Sequence, residues 1–319
     1  MSLNKITDDN ITNQIKSSNY RFIITGSSGW LGRSLLQVLK EILQDEFTSR
    51  VFAISTSSSE ITIPKIGKIK TYDYNHNFEK FDNIILFHLA FLTKEKTETL
   101  TDNDYISKNL KIRKSVINII NTLQPKALFY SSSGAIYNNN NLYSDLKIKD
   151  EIFFKQIAAD NNMDLIIPRI FNIGGPNINK YNLYAISDMI IQAKNNGFIN
   201  INANFPVIRS YIHVMDLIKI SFSWILDSNK KEKNITFDTA NTRSLEIEDL
   251  AILIFKTLNL PQNIKRKKID DKLPENRYIG DPTIQNKILK NYNINLQDNN
   301  KIIEDTYIYL DKLGVFSEK

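Results

Sequence analysis

The chain has 319 residues, a net charge of +6 and no cysteine, which excludes disulfides, a thiolate nucleophile and zinc–cysteine or iron–sulfur sites. With 42% hydrophobic and 24% charged residues it can bury a substantial core, which excludes disorder as its main state. The longest apolar run, Ile84 to Leu92, contains His88 and falls short of the roughly 18–20 residues of a membrane span, and the polar N-terminal segment lacks the pattern of a secretion signal. A cytoplasmic protein without membrane insertion is expected. The densest basic run, Lys265 to Lys268, has no interleaved aromatics and is followed by Asp270 and Asp271, so nucleic acid is not an expected partner. A positive cleft for an anionic small molecule uses the same charge.

Short β-branched runs alternate with longer helical patterns through the first half. Arg21 to Thr25 reads as a buried strand, followed by a glycine-rich turn and a helix with Leu35, Leu36, Leu39 and Leu43 on one side. Val51 to Ser55 is a second strand, Ile69 to Tyr72 a third and Asn83 to His88 a fourth. The spacing of Ile106, Leu110, Val116, Ile117 and Ile120 predicts a long helix over Asp104 to Leu123. Ala127 to Ser131 is a fifth strand, Ser144 to Asn161 a further helix and Leu165 to Pro168 a sixth strand. This alternation predicts an α/β fold with a doubly wound parallel sheet. Beyond Pro168 the rhythm becomes irregular, and Gly174-Gly175-Pro176 reads as a loop. A division there gives a first domain over 18–168 and a smaller α/β lobe over 169–319. Asn138 to Asn141 reads as a polar surface turn.

The segment Gly26-Ser27-Ser28-Gly29-Trp30-Leu31-Gly32 lies between the first strand and the first helix. Glycines there permit positive φ and let backbone N–H groups approach a pyrophosphate at the positive end of a helix, so the turn is a candidate dinucleotide site. A carboxylate for the adenosine ribose is absent from the end of the second strand, where Ser55 to Ser59 are mostly hydroxyls. Hydroxyls do not repel a 2′-phosphate, yet no Arg follows the strand and Arg50 lies at its other end, so this site leaves NAD and NADP both open.

Ser131, Ser132 and Ser133 close the fifth strand, and Tyr143 and Lys147 open the next helix at i, i+4 spacing, on one face. A free tyrosine, with a pKa of about 10, is a poor base near neutrality. A neighbouring ammonium stabilises the phenolate and lets it exchange a proton with a substrate hydroxyl, while a serine at the strand end can hold the same oxygen.

With these motifs the chain resembles the extended short-chain dehydrogenase/reductases, the NAD-dependent sugar epimerase/dehydratase family, over roughly Tyr20 to Asp281. The resemblance implies a Rossmann-type domain followed by a nucleotide-sugar-binding lobe. It makes Ser133 the catalytic serine beside Tyr143 and Lys147, with Ser131, Tyr143 and Lys147 also near the cofactor. It implies further cofactor contacts at Ser55, at Asp73 and Tyr74 after the third strand, at Leu89 and Ala90 at the fourth strand end, at Asn109, and at Pro168 and Phe171. Asn172 and Arg209 would bind the substrate, Arg209 holding its diphosphate. Two departures stand out: a short loop between Tyr137 and Tyr143, as in members from surface-polysaccharide pathways, and Phe91 where the family has a small residue.

The family's dehydratases place an acid pair after the catalytic serine, its decarboxylases keep a Glu and its epimerase-reductases use a Cys; here Gly134 and Ala135 follow Ser133. The remaining chemistry is oxidation of a sugar hydroxyl and hydride return. The resemblance therefore implies 4-epimerisation of a UDP-hexose or UDP-N-acetylhexosamine by a homodimer. The alternatives are a ketoreductase or dehydrogenase of the same family and a non-catalytic dinucleotide sensor. His76, His88 and His213 show no metal-ligand spacing and read as packing or local hydrogen-bonding residues.

Overall fold

The structure, a computed structural model, describes residues 9–64, 66–79, 81–137, 141–270 and 272–316. The first eight residues, Asn138 to Asn140 of the expected polar turn and Asp271 lie outside the described residues. The chain forms two compact units, Met1–Arg169 with Ile218–Phe237, and Ile170–Leu217 with Asp238–Lys319.

The chain begins with α1 (Asp9–Ser17), β1 (Arg21–Thr25), α2 (Trp30–Leu43), the short α3 (Phe47–Arg50) and β2 (Val51–Ile54). It continues with β3 (Ser59–Ile63), β4 (Gly67–Tyr72), β5 (Ile84–His88), α4 (Asp102–Leu123), β6 (Ala127–Tyr130), β7 (Ser132–Ser133), α5 (Leu142–Asp160) and β8 (Asp164–Ile170). Then come β9 (Asn172–Gly174), α6 (Ala185–Asn196), β10 (Ile199–Ile201), β11 (Val207–Arg209), β12 (Tyr211–His213), α7 (Val214–Leu226) and β13 (Asn234–Asp238). The chain closes with β14 (Leu245–Glu246), α8 (Ile247–Thr257), β15 (Ile264–Arg266), β16 (Asn276–Tyr278), α9 (Thr283–Asn291) and α10 (Asn299–Lys312).

Among the described residues nine strands make one sheet, ordered β13-β8-β6-β5-β1-β2-β4-β3, with β7 paired to β8. The ladders from β4 through β2, β1, β5 and β6 to β8 are parallel, so the expected doubly wound sheet is present. At one edge β3 adds antiparallel to β4. This strand has no counterpart in the sequence reading because Ser59-Glu60-Ile61-Thr62-Ile63 buries only its two isoleucines.

Alternation along the strands sends successive side chains to opposite faces. Ile23, Leu86, Leu128, Tyr130 and Leu165 meet Val116, Ile119 and Ile120 of α4 and Phe154 of α5 in one buried cluster. On the other face Phe22 and Phe87 pack against Phe222 of α7, with ring centroids 6.0 and 5.5 Å apart. The expected single division at residue 168 is therefore corrected. Residues 218–237 belong to the first unit, since Phe222 completes its core and β13 lies beside β8.

The helix starts are set by short polar caps. The Thr101 side chain accepts from Asp104 N ahead of α4, and Asn141 accepts from Ser144 N ahead of α5. Arg50 is buried at the N-terminal edge of the sheet, where it donates to the carbonyls of Ile15 and Tyr20 and pairs with Glu46. In the second unit β9 pairs with β12, β10 with β15, and β11 with both β14 and β16.

Candidate active site

The glycine turn is shaped by contact with the end of β5. Gly26 has φ +71°, and a Cβ there would lie 2.6 Å from Ala90 N and 2.7 Å from the Leu89 carbonyl carbon. A Cβ on Gly32 would meet Gly26 O at 2.5 Å, whereas one on Gly29 would approach it only to 3.3 Å. Gly29 N donates to Gly26 O and caps α2 without a side-chain hydrogen bond, so backbone N–H groups gather where the helix dipole is positive. Ser27 is buried and donates to Ile54 O, tying the turn to β2. Trp30 is buried as well, whereas Ser28 is exposed and Leu31 is half-buried.

At the next sheet edge Ser55 N donates to Tyr72 O, which carries the β2–β4 register one step further and sets Ser55 beside Asp73. The Asp73 carboxylate accepts from Ser58 Oγ at 2.9 Å and from Asn75 N at 2.8 Å, and these bonds hold its pKa below the usual value. Tyr74 turns inward against the core, and burial pushes its phenol up to about 12.

At the end of β5, His88 Nδ1 and Thr25 Oγ1 are 2.8 Å apart, and burial, with Lys147 nearby, pulls the imidazole down to about 3. His88 is therefore neutral. Asn109, only 5% exposed, accepts from Leu92 N and donates to Tyr105 O, while Tyr105 donates its hydroxyl to Leu92 O. Helix α4 thereby clamps the backbone that follows Phe91. His213 and Asp305 form a buried pair in the second unit, and His76 stacks on Tyr72, so these histidines also have local roles.

Tyr143 and Lys147 sit one turn apart on α5. Lys147, 3% exposed, donates from Nζ to the Ser131 carbonyl at 2.7 Å. Burial pulls its pKa down to about 8, with Asp150 and Glu151 acting in the opposite direction. Two rings also cover the ammonium, Phe91 at 4.0 Å and Tyr130 at 4.9 Å. The Phe91 ring meets Tyr143 in a T-shaped contact, centroids 5.6 Å apart. Ser131 Oγ donates to His88 O, and buried Ser133 accepts from Ala135 N at 3.2 Å.

Sequence reasoning missed the polar groups under this pair. Asp150 pairs with Arg113 at 2.9 Å and accepts from Tyr130. Glu151 accepts from Ser132 Oγ and from two nitrogens of Arg169, whose Nη1 also donates to Tyr137. The only signal for these pairs was two adjacent acids one turn beyond Lys147.

Pro168 is buried within β8. In the second unit Phe171 N donates to Thr239, and Asn172 donates to Ser210 O. Arg209 is set by β11, donating to the carbonyls of Ile208 and Asn276, and burial lowers its pKa. Tyr278, its register partner on β16, lies 6.0 Å below the guanidinium and 4.7 Å from Phe171. Tyr278 carried no sequence signal.

Residues 22–238 match the NAD dependent epimerase/dehydratase family. This chain belongs to that family.

As an epimerase/dehydratase family chain it is 24% identical to the UDP-glucose 4-epimerase of Mycoplasma genitalium, over 90% of this chain and 97% of the relative. Its fold is similar to that of a UDP-N-acetylglucosamine 4-epimerase from Methanobrevibacter ruminantium M1, solved with UDP-N-acetylmuramic acid. The TM-score is 0.71 at 18% identity, over 92% of this chain and 98% of that one. It is likewise similar to the UDP-glucose 4-epimerase of Thermus thermophilus in complex with NAD. There the TM-score is 0.67 at 13% identity, over 91% of this chain and 99% of that one. The side-chain-free cradle at Gly26 and Gly32 fits the close backbone approach that a dinucleotide pyrophosphate requires. No helix among the described residues is long and apolar enough to cross a membrane.

Proposed function

We propose that this chain is an NAD-dependent nucleotide-sugar epimerase that inverts C4 of a UDP-hexose or UDP-N-acetylhexosamine through a 4-keto sugar. The observation that carries the reading is the pair on α5: Tyr143 one turn from a buried Lys147 whose Nζ is fixed on Ser131 O. Tyr143 takes the proton of the C4 hydroxyl and returns it, because the Lys147 ammonium stabilises the phenolate. Ser133 holds the same oxygen. Bound NAD supplies a reversible hydride acceptor, and the Gly26–Gly32 turn, Leu89-Ala90 and Lys147 are the groups that would hold it.

NAD rather than NADP is the proposed cofactor. Asp73 follows β4 next to the end of β2, and its carboxylate, held by Ser58, would repel a 2′-phosphate there. In the second unit Arg209 is the proposed diphosphate anchor, since a guanidinium grips phosphate oxygens through two hydrogen bonds. Leu110 on α4 and Ile152 on α5 are 40% and 66% exposed, and the two helices are joined by Arg113–Asp150, which supports a homodimer through this face. Light scattering at micromolar concentration checks the dimer, and a monomer opposes it.

The deciding experiment incubates purified protein with a panel of nucleotide sugars and follows the sugar by NMR and the nicotinamide by absorbance. The expected result is a 4-epimer without stoichiometric change in reduced nicotinamide. A one-for-one change with sugar consumed makes the protein a dehydrogenase or ketoreductase instead. Absence of turnover with every sugar favours the sensor.

A further inference from the structure

We propose that Phe91 is a positioning residue for the Tyr143–Lys147 pair, its ring supporting the Lys147 ammonium on one side and abutting the Tyr143 ring on the other. The inference rests on the reading of that pair as the proton-transfer groups.

Two ring contacts and a clamped neighbour place Phe91 in this role. Its ring centroid is 4.0 Å from Lys147 Nζ, a cation–π distance, and 5.6 Å from the Tyr143 ring at an interplanar angle of 83°. The next residue, Leu92, is held on both backbone polar groups by α4, through Asn109 and Tyr105. The ring is therefore set by a clamped backbone rather than by a loose loop.

The chemistry explains why an aromatic ring matters at this point. A buried ammonium favours losing its proton unless something replaces water around it. The Asp150 and Glu151 carboxylates favour the ammonium from a distance, but their hydrogen bonds go elsewhere, Asp150 to Arg113 and Tyr130 and Glu151 to Arg169 and Ser132. Lys147 is instead held by the Ser131 carbonyl and by the negative faces of Phe91 and Tyr130. His88 on β5, with its pKa at about 3, and Tyr130 on β6, kept protonated by burial, are neutral neighbours, and Tyr105 on α4 beside Tyr143 is likewise protonated. The π face of Phe91 thus prolongs the charged state of Lys147, and that charge is what lowers the barrier to forming the Tyr143 phenolate. The T-shaped contact restricts the Tyr143 ring at the same time.

The test compares the wild type with Phe91→Leu, which keeps apolar bulk but lacks the ring quadrupole, and Phe91→Tyr, which restores it. In the Leu variant the alkaline limb of the kcat profile moves to lower pH by about half to one unit, given the usual strength of a cation–π contact. At pH 8 kcat falls about two- to fivefold while KM for the sugar changes less than about twofold, the signature of a group acting on the chemical step. Phe91→Tyr recovers the wild-type limb. A spectroscopic arm needs no turnover: each protein is titrated alongside its Tyr143→Phe counterpart, and the difference in tyrosinate absorbance reports Tyr143 alone. The midpoint rises in Phe91→Leu. An unchanged midpoint together with an unchanged kcat profile overturns the proposal, as does a Tyr variant that behaves like Leu. If no sugar turns over, the functional reading fails, while the spectroscopic arm still decides the role of Phe91.

Discussion

Lys147 Nζ lies 2.7 Å from the carbonyl oxygen of Ser131, so the cation one turn from Tyr143 is anchored by strand-end backbone rather than by a carboxylate. This geometry makes the charge state of Lys147 sensitive to pH. Burial brings its pKa from the ordinary lysine range to about 8, so the ammonium is largely intact at pH 7 and half lost near pH 8. Turnover that needs the cation falls as pH rises through about 8. A kcat–pH profile with an alkaline limb there, absent from the residual activity of Lys147→Met, is the expected result; a flat profile to pH 10 contradicts it. The stability term has the opposite slope. The folded pKa lies below the unfolded one, so this group's destabilising effect is complete below pH 8 and is relieved between about 8 and 10.5.

Tyr143→Phe removes one oxygen and keeps the ring contact with Phe91. Activity falls by about 10²–10⁴-fold, the usual size of a proton-transfer contribution. NAD binding, followed by calorimetry, stays within a few-fold of wild type. Near-normal turnover in this variant removes Tyr143 from its assigned role.

The glycine turn gives a graded prediction. Gly32→Ala drives a Cβ into the Gly26 carbonyl at 2.5 Å, a backbone atom that cannot step aside, and so deforms the turn. NAD affinity drops by at least tenfold and the thermal midpoint falls. Gly29→Ala, at 3.3 Å from the same oxygen and with an ordinary φ of −74°, affects both much less. Equal losses in the two variants would show that the cradle is not what binds the cofactor.

Arg169 and Glu151 supply a stability test. Burial alone would raise the Glu151 pKa, but hydrogen bonds from Arg169 and Ser132 outweigh it and hold the carboxyl low. Arg169→Ala leaves a buried carboxylate without its guanidinium and costs about 3–5 kcal/mol, read from urea unfolding at pH 7. A folded pKa below the unfolded one contributes stability that is fully present above the ordinary Glu range and is lost as pH falls from that range through the lower folded pKa. The gap between wild type and variant therefore narrows by pH 4. A gap independent of pH contradicts the ion-pair account.

Asp73 bears on cofactor choice. Asp73→Asn keeps the hydrogen bond with Ser58 within reach and removes the negative charge. The ratio of NADP to NAD affinity rises several-fold in equilibrium binding, without any need for turnover. An unchanged ratio leaves the preference to other groups.

Most of the parallel sheet was legible because its strands are buried on both faces and read as short apolar runs, as in Phe22-Ile23-Ile24 and Ile84-Ile85-Leu86. Helix α1 was not, because only Ile11 and Ile15 of it are buried. In the second unit strands of two or three residues carry no periodicity to detect. At the candidate site, residue type and spacing picked out Tyr143 and Lys147, but the environment that tunes them was invisible. The pairs Arg113–Asp150 and Arg169–Glu151 span 37 and 18 residues, and only the packing of α5 against α4 and β8 joins them. Phe91 stood out in sequence as an oddity of size; its role depends on a ring orientation that no spacing encodes.

The return of residues 218–237 to the first unit means the polypeptide passes between the two units three times, after Arg169, Leu217 and Phe237. Neither unit is a continuous piece of chain. A fragment cut at residue 169 would lack Phe222, leaving Phe22 and Phe87 without a ring partner from α7, and would expose the β8 edge that β13 covers. The first unit thus cannot finish its own core until the ribosome has delivered residue 237, well after the first stretch of the second unit has been made. The chain is a poor candidate for modular shuffling: a recombination point near residue 169 would transplant an unfinished sheet.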